Sequence, residues 1–244
     1  TLIIIGDGET AELAQDYFLK DTNYKIECHA VDSNFKTKNK LGNYDVITLE
    51  ELEKNFLKDD VCLFVAIGSN KLNAIRTRYY EYFKKKNYSF ASYVSSKAFV
   101  WHDAKIGDNA FILENNVIQK NCVIGNNVTL WSGNHIGHRS KIGDNVFITS
   151  HVVISGFCNL GKNTFLGVNS TVINNIDIGE SCFINASSNI KFNLKSFSSV
   201  NPKSAEISKI STKKLFLGNT FIALDTDRCR LSPPVINIIF DIQN

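Results

Sequence analysis

The sequence predicts two folded parts, a small Rossmann-like α/β module followed by a left-handed parallel β-helix of hexapeptide repeats. Strands alternate with helices over the first 90 residues, and from residue 94 an aliphatic side chain returns at every sixth position. Alternation of strands and helices is typical of a parallel α/β sheet. A short fixed period is the signature of a repeat architecture. The predicted bounds are 1–90 for the module, 91–195 for the β-helix and 196–244 for a C-terminal extension.

The composition limits the classes of protein to consider. The chain has 244 residues, of which 43% are hydrophobic and 21% charged, and its formal net charge is +3. This is enough apolar material for packed cores, and the charges form no basic patch of the kind that nucleic-acid binders need. No apolar run approaches the roughly 20 residues of a membrane span, and the first residues lack a signal-peptide pattern. We expect a cytoplasmic protein without nucleic-acid partner or membrane insertion.

In the module, three strands are predicted over 1–6, 25–31 and 61–67, and three helices over 10–19, 50–57 and 71–85. The first strand runs into the turn Gly6-Asp7-Gly8-Glu9-Thr10-Ala11. Such a G-x-G-x-x-A turn at a helix start favours a phosphate, although it also occurs as a tight turn without a ligand. Asp32 follows the second strand, where a ribose-binding carboxylate is expected. Because 90 residues supply only one mononucleotide half, a nucleotide or nucleotide sugar fits better than NAD.

The β-helix is predicted by seventeen consecutive aliphatic residues at six-residue spacing, from Val94 to Ile190. Three six-residue segments make one triangular coil of 18 residues, with the aliphatic side chains inside. Small side chains four residues after each aliphatic residue also point inward, and Cys122, Cys158 and Cys182 are among them. The six cysteines form no C-x-x-C pair, so we interpret them as reduced packing residues rather than nucleophiles.

Two histidines in the stretch Asn134-His135-Ile136-Gly137-His138 are candidates for a general base, because imidazole accepts protons near neutral pH. His138 lies two residues after an inward isoleucine, at an outward corner. Gly156 follows 18 residues later, one coil directly above, and offers close backbone approach or an N–H for a developing oxyanion.

Several stretches together resemble the bacterial nucleotide-sugar acetyltransferases of the PglD and NeuD (sialic acid O-acetyltransferase-like) family. The resemblance covers residues 1 to about 203 and is carried by residues 6–8, 66–68, 133–144, 150–156 and 165–170. It implies a homotrimer, acetyl-CoA bound along the seam between neighbouring β-helices, and a nucleotide-linked amino sugar held by the module. It also implies that His138 is the general base, with His135 as the competing candidate. The acidic residue that follows this histidine in the family is replaced by Arg139.

From the fold and the resemblance we assign two sets of binding residues. The substrate set lies at the carboxyl ends of the predicted strands, where ligands bind in such sheets, and consists of Gly8, Glu9, Asp32, Asn34, Gly68, Ser69 and Asn70. The set for acetyl-CoA, which is a co-substrate, consists of His151, Gly156, Gly167 and Asn169. The histidine spacing predicts no metal site.

The function that follows is direct transfer of acetyl from acetyl-CoA to the amino group of a nucleotide-linked amino sugar, in surface-glycan biosynthesis such as that of O-antigen. Two alternatives stay open. The enzyme could acetylate a sugar hydroxyl instead, or Arg139 could make the chain a non-catalytic trimeric nucleotide-sugar binder.

Overall fold

The computed structural model describes residues 1–202 and two short antiparallel strands, Leu215–Leu217 and Thr220–Ile222. Residues 1–202 form one compact unit, and residues 203–244 belong to a second. Most of the predicted extension 196–244 lies outside the described residues, including an apolar segment at 235–242 for which the sequence predicts a strand. The three domain bounds therefore stay predictions.

The module is a six-stranded sheet with helices on both faces, which confirms the predicted Rossmann-like α/β class. Its strands lie in the order β3-β4-β2-β1-β5-β6, and all are parallel except β3, which pairs antiparallel with β4. The elements in chain order are β1 Leu2–Ile5, α1 Glu9–Asp21, β2 Ile26–Val31, a 3-10 helix Ser33–Phe35, β3 Lys40–Leu41, β4 Tyr44–Thr48, α2 Leu49–Asn55, β5 Cys62–Val65, α3 Ala74–Lys85 and β6 Ser89–Phe90.

The sequence analysis missed β3, β4 and β6. Two of them are only two residues long, so they carry no readable alternation. The third, β4, runs directly into α2 without a loop. Thr48 makes this junction possible. Its side chain accepts a hydrogen bond from the Glu51 backbone N–H, and the Glu51 carboxylate accepts a hydrogen bond from the Thr48 backbone N–H. This capping box starts the helix at the last residue of the strand.

The second part of the unit is a triangular prism of two-residue strands, which confirms the predicted β-helix. Each strand pairs in parallel with strands one coil away, so that His135 lies between Val117 and Val153. Wall 1 contains Tyr93–Val94, Phe111–Ile112, Thr129–Leu130, Phe147–Ile148, Phe165–Leu166, Phe183–Ile184 and Ser199–Val200. Wall 2 contains Phe99–Val100, Val117–Ile118, His135–Ile136, Val153–Ile154, Thr171–Val172 and Asn189–Ile190. Wall 3 contains Lys105–Ile106, Val123–Ile124, Lys141–Ile142, Asn159–Leu160 and Asp177–Ile178.

The prism is filled by the periodic aliphatic residues, most of which are fully buried between Ile112 and Ile190. Cys122, Cys158 and Cys182 are buried in the same core, and their Sγ atoms donate to backbone carbonyl oxygens. Burial raises the pKa of the Cys122 and Cys158 thiols. These cysteines are therefore packing residues, as predicted, and not nucleophiles.

The module packs on wall 1, because that wall carries aromatic side chains on its outer face. Phe111 and Tyr93 share a buried cluster with Phe18 of α1 and Phe64 of β5. Their rings meet edge to face or tilted, with centroids 4.9–5.6 Å apart. Aromatic contacts of this geometry stabilise beyond the area they bury. The outer residues of wall 3 are mostly polar by comparison. The sequence therefore distinguishes wall 1, on which the module packs, from wall 3.

A polar seam completes this junction at the corner between walls 3 and 1. Four asparagines are stacked in successive coils, and each side-chain amide donates a hydrogen bond to the next along the series Asn109, Asn127, Asn145 and Asn163. From the module, Arg76 donates to the side chain of Asn127 and to the carbonyls of Val65 and Asn109. Asn73 donates to the Asn145 carbonyl at 2.8 Å. Arg76 is fully buried, and desolvation lowers the pKa of its guanidinium. Side-chain and backbone oxygen atoms thus accept the hydrogen bonds of this buried cation, and no carboxylate takes part.

Candidate functional site

His138 lies on an exposed corner between walls 2 and 3, directly after the strand His135–Ile136. Its backbone N–H donates to the Gln119 side chain at 2.9 Å, which ties the corner to the coil below. Within residues 1–202 no side chain or carbonyl makes a hydrogen bond to the imidazole, so its nitrogen atoms are available to a substrate. The predicted general base is therefore accessible.

Gly156 makes room for this imidazole from the coil above. A Cβ atom built on Gly156 would lie 2.8 Å from both Cε1 and Nε2 of His138, closer than such atoms approach each other. The sequence analysis suggested that the Gly156 N–H could bind an oxyanion. That suggestion is wrong for this geometry, because the N–H donates to Asn174 Oδ1 at 3.0 Å. The glycine is required as space for His138.

Arg139 and Phe157 complete this corner. The guanidinium of Arg139 lies over the Phe157 ring at 5.5 Å from its centroid. The same ring packs at right angles to the His138 imidazole, with centroids 5.0 Å apart. The coils directly above and below provide no carboxylate at this corner, where they place Lys120, Asn121, Gly156 and Phe157. The nearest acidic residue of the corner is Asp103, two coils below Arg139, and its carboxylate accepts a hydrogen bond from the Asn121 N–H. The orienting acid that the family resemblance implies is replaced by an arginine held on an aromatic ring.

The predicted acetyl-CoA residues lie on both edges of wall 2. His151 and Asn169 occupy successive coils of the corner between walls 1 and 2, across the wall from His138 and Gly156. The ring of His151 lies over Gly133, where a Cβ would be 2.7 Å from it. His135 lies between the two corners, half-exposed on the outer face. At Gly167 a Cβ would collide with the backbone of Ala186, so packing of the next coil alone explains that glycine.

The predicted phosphate turn connects β1 to α1, and its two glycines have different requirements. Gly6 has φ +129°, and a Cβ there would lie 2.7 Å from the Ala66 carbonyl oxygen, so the fold requires this glycine. Gly8 has an ordinary φ of −87°, and no atom lies within 4 Å of a Cβ built on it. It starts α1 without a side-chain cap, which leaves the first N–H groups of the helix for an anion. Glu9 is exposed in the first turn, where its carboxylate favours the helix dipole but repels a phosphate.

His29 supports this turn from beneath. It is fully buried on β2, with Nδ1 3.0 Å from the Gly6 carbonyl oxygen and Nε2 2.8 Å from the Gln15 side-chain amide. Desolvation lowers the pKa of His29 below its ordinary value of 6.5. The sequence analysis did not identify this residue, because nothing in its local pattern shows that it lies under the turn.

This buried histidine makes stability depend on pH. Because its pKa is lower in the folded than in the unfolded protein, the unfolded chain binds more protons once the pH falls below about 6.5. We expect the free energy of unfolding to fall as the pH drops from 7 to 5, and His29→Asn to flatten this slope. Urea unfolding at several pH values measures it, with His102→Asn at an exposed position as the control. Equal slopes in all three proteins would contradict the prediction.

Asp32 and Asn34 lie together at the carboxyl end of β2, but they bind each other. Asp32 Oδ1 accepts from the backbone and side-chain N–H groups of Asn34, both at 3.0 Å. Oδ2 accepts from the Tyr79 hydroxyl at 3.1 Å, and Arg78 lies 4.0 Å away. These contacts, of which the Asn34 backbone N–H is the largest, lower the pKa of the Asp32 carboxyl. A carboxylate has about four acceptor positions, so one remains for a ribose hydroxyl.

Gly68, Ser69 and Asn70 line a cavity of about 260 Å³ between the module and wall 1. The module also contributes Thr10 and Arg76, and the wall contributes aromatic side chains including Trp131. Thr129, another lining residue, has a buried hydroxyl without a hydrogen-bond partner. Thus three of the predicted substrate residues share one cavity, whereas Gly8, Glu9, Asp32 and Asn34 lie outside its lining. The sequence analysis missed the wall's contribution, although the aromatic residues at 18-residue spacing on wall 1 signal it.

No cluster of three or more histidine, cysteine, aspartate or glutamate side chains in the described part of the chain could hold a metal ion. None of the helices there combines the length and the apolar character that crossing a membrane requires.

Comparison with known families agrees with this architecture. Residues 1–83 match the PglD N-terminal domain, and residues 103–138 and 121–156 match the bacterial transferase hexapeptide (six repeats). Together these matches cover more than half of the chain. No curated protein is significantly similar to it in sequence.

Similar solved structures share the whole two-part fold. The acetyltransferase domain of PglB from Neisseria gonorrhoeae FA1090 is 18% identical, with a TM-score of 0.71 over 81% of this chain and 94% of that chain. A histidine-to-asparagine mutant of perosamine N-acetyltransferase from Caulobacter crescentus, in complex with CoA and GDP-perosamine, is 20% identical, with a TM-score of 0.71 over 81% and 91%. WeeI from Acinetobacter baumannii AYE is 13% identical, with a TM-score of 0.70 over 81% and 94%. By its two domain matches, the chain combines a PglD N-terminal domain with the repeats of the bacterial transferase hexapeptide family.

Proposed function

We propose that this chain is an N-acetyltransferase that moves an acetyl group from acetyl-CoA to the amino group of a nucleotide-linked amino sugar. One observation carries the proposal, namely the accessible His138 imidazole seated against Gly156 on a hexapeptide prism that is joined to a PglD N-terminal domain. The similar perosamine N-acetyltransferase, crystallised with CoA and GDP-perosamine, supports the substrate class. The product would serve the assembly of a surface glycan.

The chemistry needs a base and no covalent enzyme intermediate. The amine nitrogen attacks the thioester carbonyl carbon, and His138 accepts the proton that the nitrogen loses. The tetrahedral intermediate then collapses, the C–S bond breaks, and the imidazolium returns the proton to the departing thiolate. The products are an N-acetyl sugar and CoA with a free thiol. The buried cysteines of the prism support direct transfer, since none of the three is accessible to an acyl donor.

The two ligands would reach this base from different directions. The nucleotide part would bind in the module, with its phosphates at the N-terminus of α1 near Gly8 and Glu9 and its ribose near Asp32 and Asn34. Gly68, Ser69 and Asn70 would contact it from the cavity below the loop after β5. Acetyl-CoA would lie along wall 2, between the His151 and Asn169 corner and Gly156, with Gly167 allowing the coils to stack.

The assembly we propose is a homotrimer, because the outer face of wall 2 and its corners expose apolar side chains to solvent. Phe99, Val153, Phe157, Val168 and Ile173 are each 42–53% exposed in the single chain. Self-association about a closed axis would bury them. Light scattering at micromolar concentration should give about three times the chain mass of 27.3 kDa. A species of 27.3 kDa at the same concentration would contradict this prediction.

The activity is tested by incubating the protein with acetyl-CoA and a panel of UDP-, dTDP- and GDP-linked amino sugars while free thiol is followed. We expect thiol release with at least one amino sugar and none with its hydroxy counterpart. Release with the hydroxy sugar alone would identify an O-acetyltransferase. Background rates with every sugar, together with tight binding of one of them, would identify a non-catalytic binder.

A further inference from the structure

The corner that holds His138 departs from the residue preference of the other corners. At the corners from Asn109 onward one residue typically adopts a left-handed backbone with φ near +60°, which asparagine tolerates and most side chains do not. The eight asparagines at these positions are Asn109, Asn115, Asn121, Asn127, Asn145, Asn163, Asn169 and Asn175. Phe157 has φ +61° at such a position, so the backbone does not explain its presence.

Four of the departures lie beside the proposed active wall. The coil that contains His135 and the next coil place Gly133, Arg139, His151 and Phe157 at left-handed corners of wall 2, where asparagine stands in the coils before and after. The other departures lie in the last coils, at Ser181, Ser187 and Phe197. The left-handed backbone alone therefore assigns no role, and the contacts of each side chain decide it. Phe157 in particular remains 43% exposed, so it is not retained to fill the prism.

The contacts of the ring indicate what it does. Its perpendicular packing on the imidazole, at 5.0 Å between centroids, limits the orientations that His138 can adopt. The same ring holds the Arg139 guanidinium at 5.5 Å by a cation–π contact. The charged residues of this corner in the coils next to His138 are the cations Lys120 and Arg139, and the carboxylate of Asp103 lies two coils below Arg139. A guanidinium released from the ring could approach His138 and disfavour the imidazolium that base catalysis forms.

We infer that Phe157 is a positioning residue for His138, which fixes the imidazole plane and keeps the Arg139 cation on its own ring. It thereby substitutes for a carboxylate directly beside His138, which the coils above and below do not provide. The inference rests on the proposed function for its catalytic consequence, but the positioning itself can be measured without turnover.

Phe157→Asn is the discriminating variant, and Phe197→Asn is its matched control. Phe197 is also a phenylalanine at a left-handed corner, with φ +63°, and it is 76% exposed on the corner between walls 3 and 1. Both substitutions introduce the residue that these corners favour, so each single chain should stay folded. Because Phe157 is also one of the apolar side chains that the proposed trimer would bury, kcat is compared only between samples that light scattering shows to have the wild-type mass. We expect kcat to fall about threefold to tenfold in Phe157→Asn and to be unchanged in Phe197→Asn. Phe157→Tyr keeps the ring and should retain the wild-type kcat.

The second readout is the His138 resonance in NMR spectra of protein with labelled histidine. In Phe157→Asn, the ring-current shift of the His138 Cε1 proton should disappear, and Phe157→Tyr should keep it. Adding Arg139→Gln to Phe157→Asn should recover part of the lost kcat, because the released cation is gone.

The outcomes separate the two proposals. Unchanged kcat and an unchanged chemical shift of the His138 Cε1 proton in a folded Phe157→Asn protein would overturn the positioning role while leaving the acetyltransferase intact. The expected NMR changes in a protein that acetylates no sugar would support the positioning role and remove the proposed function. A loss of kcat equally large in Phe197→Asn would assign the effect to the corners in general and overturn the inference.

Discussion

Replacing His138 with alanine is expected to lower kcat by roughly 10²–10⁴-fold with little change in either KM, the usual range for a positioned general base. The imidazole lies at the surface of the corner and its nitrogen atoms make no hydrogen bond within residues 1–202, so its removal should leave the prism folded. Steady-state rates of thiol release measure the effect. His138→Asn should behave in the same way, because an amide cannot accept the proton.

His135→Ala is the control for this substitution. His135 lies on the same wall, one residue before the buried Ile136, and we expect its variant to keep most of the activity. The reverse pattern, in which His135→Ala is inactive at unchanged stability and His138→Ala is active, would transfer the base to His135. Arg139→Asp adds a further check. A carboxylate beside the imidazole should move the acid limb of the pH–rate profile to higher pH if His138 is the base, and should leave the limb in place if it is not.

Gly8→Val is expected to raise the KM for the sugar nucleotide by roughly tenfold or more while the KM for acetyl-CoA stays nearly unchanged. The branched side chain would occupy the space in front of the first N–H groups of α1, where the phosphates are proposed to bind. No protein atom lies within 4 Å of a Cβ on Gly8, so the substitution should not disturb the fold. Initial rates with each substrate varied in turn measure both constants.

The neighbouring glycine provides the contrast. Gly6→Ala should destabilise the module, because Gly6 has a φ that alanine rarely adopts and its Cβ would meet the Ala66 carbonyl oxygen. Loss of folding in Gly6→Ala together with a folded Gly8→Val that binds sugar poorly would support a phosphate site at this turn. A Gly8→Val protein with wild-type constants for both substrates would remove the phosphate assignment.

The fold could be predicted because its strongest determinant is local and periodic. An aliphatic residue every six positions specifies both the inside of the prism and the 18-residue coil, so the sequence alone places Gly156 above His138. The strand β4 could not be predicted in this way. Its five residues form a strand because they pair with β2 and run into a capped helix, and both facts depend on distant parts of the chain.

The candidate site was only partly predictable for a related reason. Which residues occupy a corner follows from the period, but the partner of each side chain does not. The Gly156 N–H is taken by Asn174, and the Asp32 carboxylate is bound by Tyr79 on a helix 47 residues further along the chain. His29 is under the phosphate turn because two parallel strands pair there. Such contacts arise from packing between elements, which no local pattern encodes.

The asparagine seam beneath Arg76 limits how this protein could exchange its parts during evolution. The guanidinium is buried without a counter-charge, and its hydrogen-bond acceptors come from two stacked coils of the prism and from β5. A nucleotide-binding module transferred to a different prism would leave this cation unsatisfied unless the asparagines came with it. We therefore expect the module and the first coils of the β-helix to be inherited together. Recombination between related proteins should be tolerated best when the exchanged coils lie beyond Asn163.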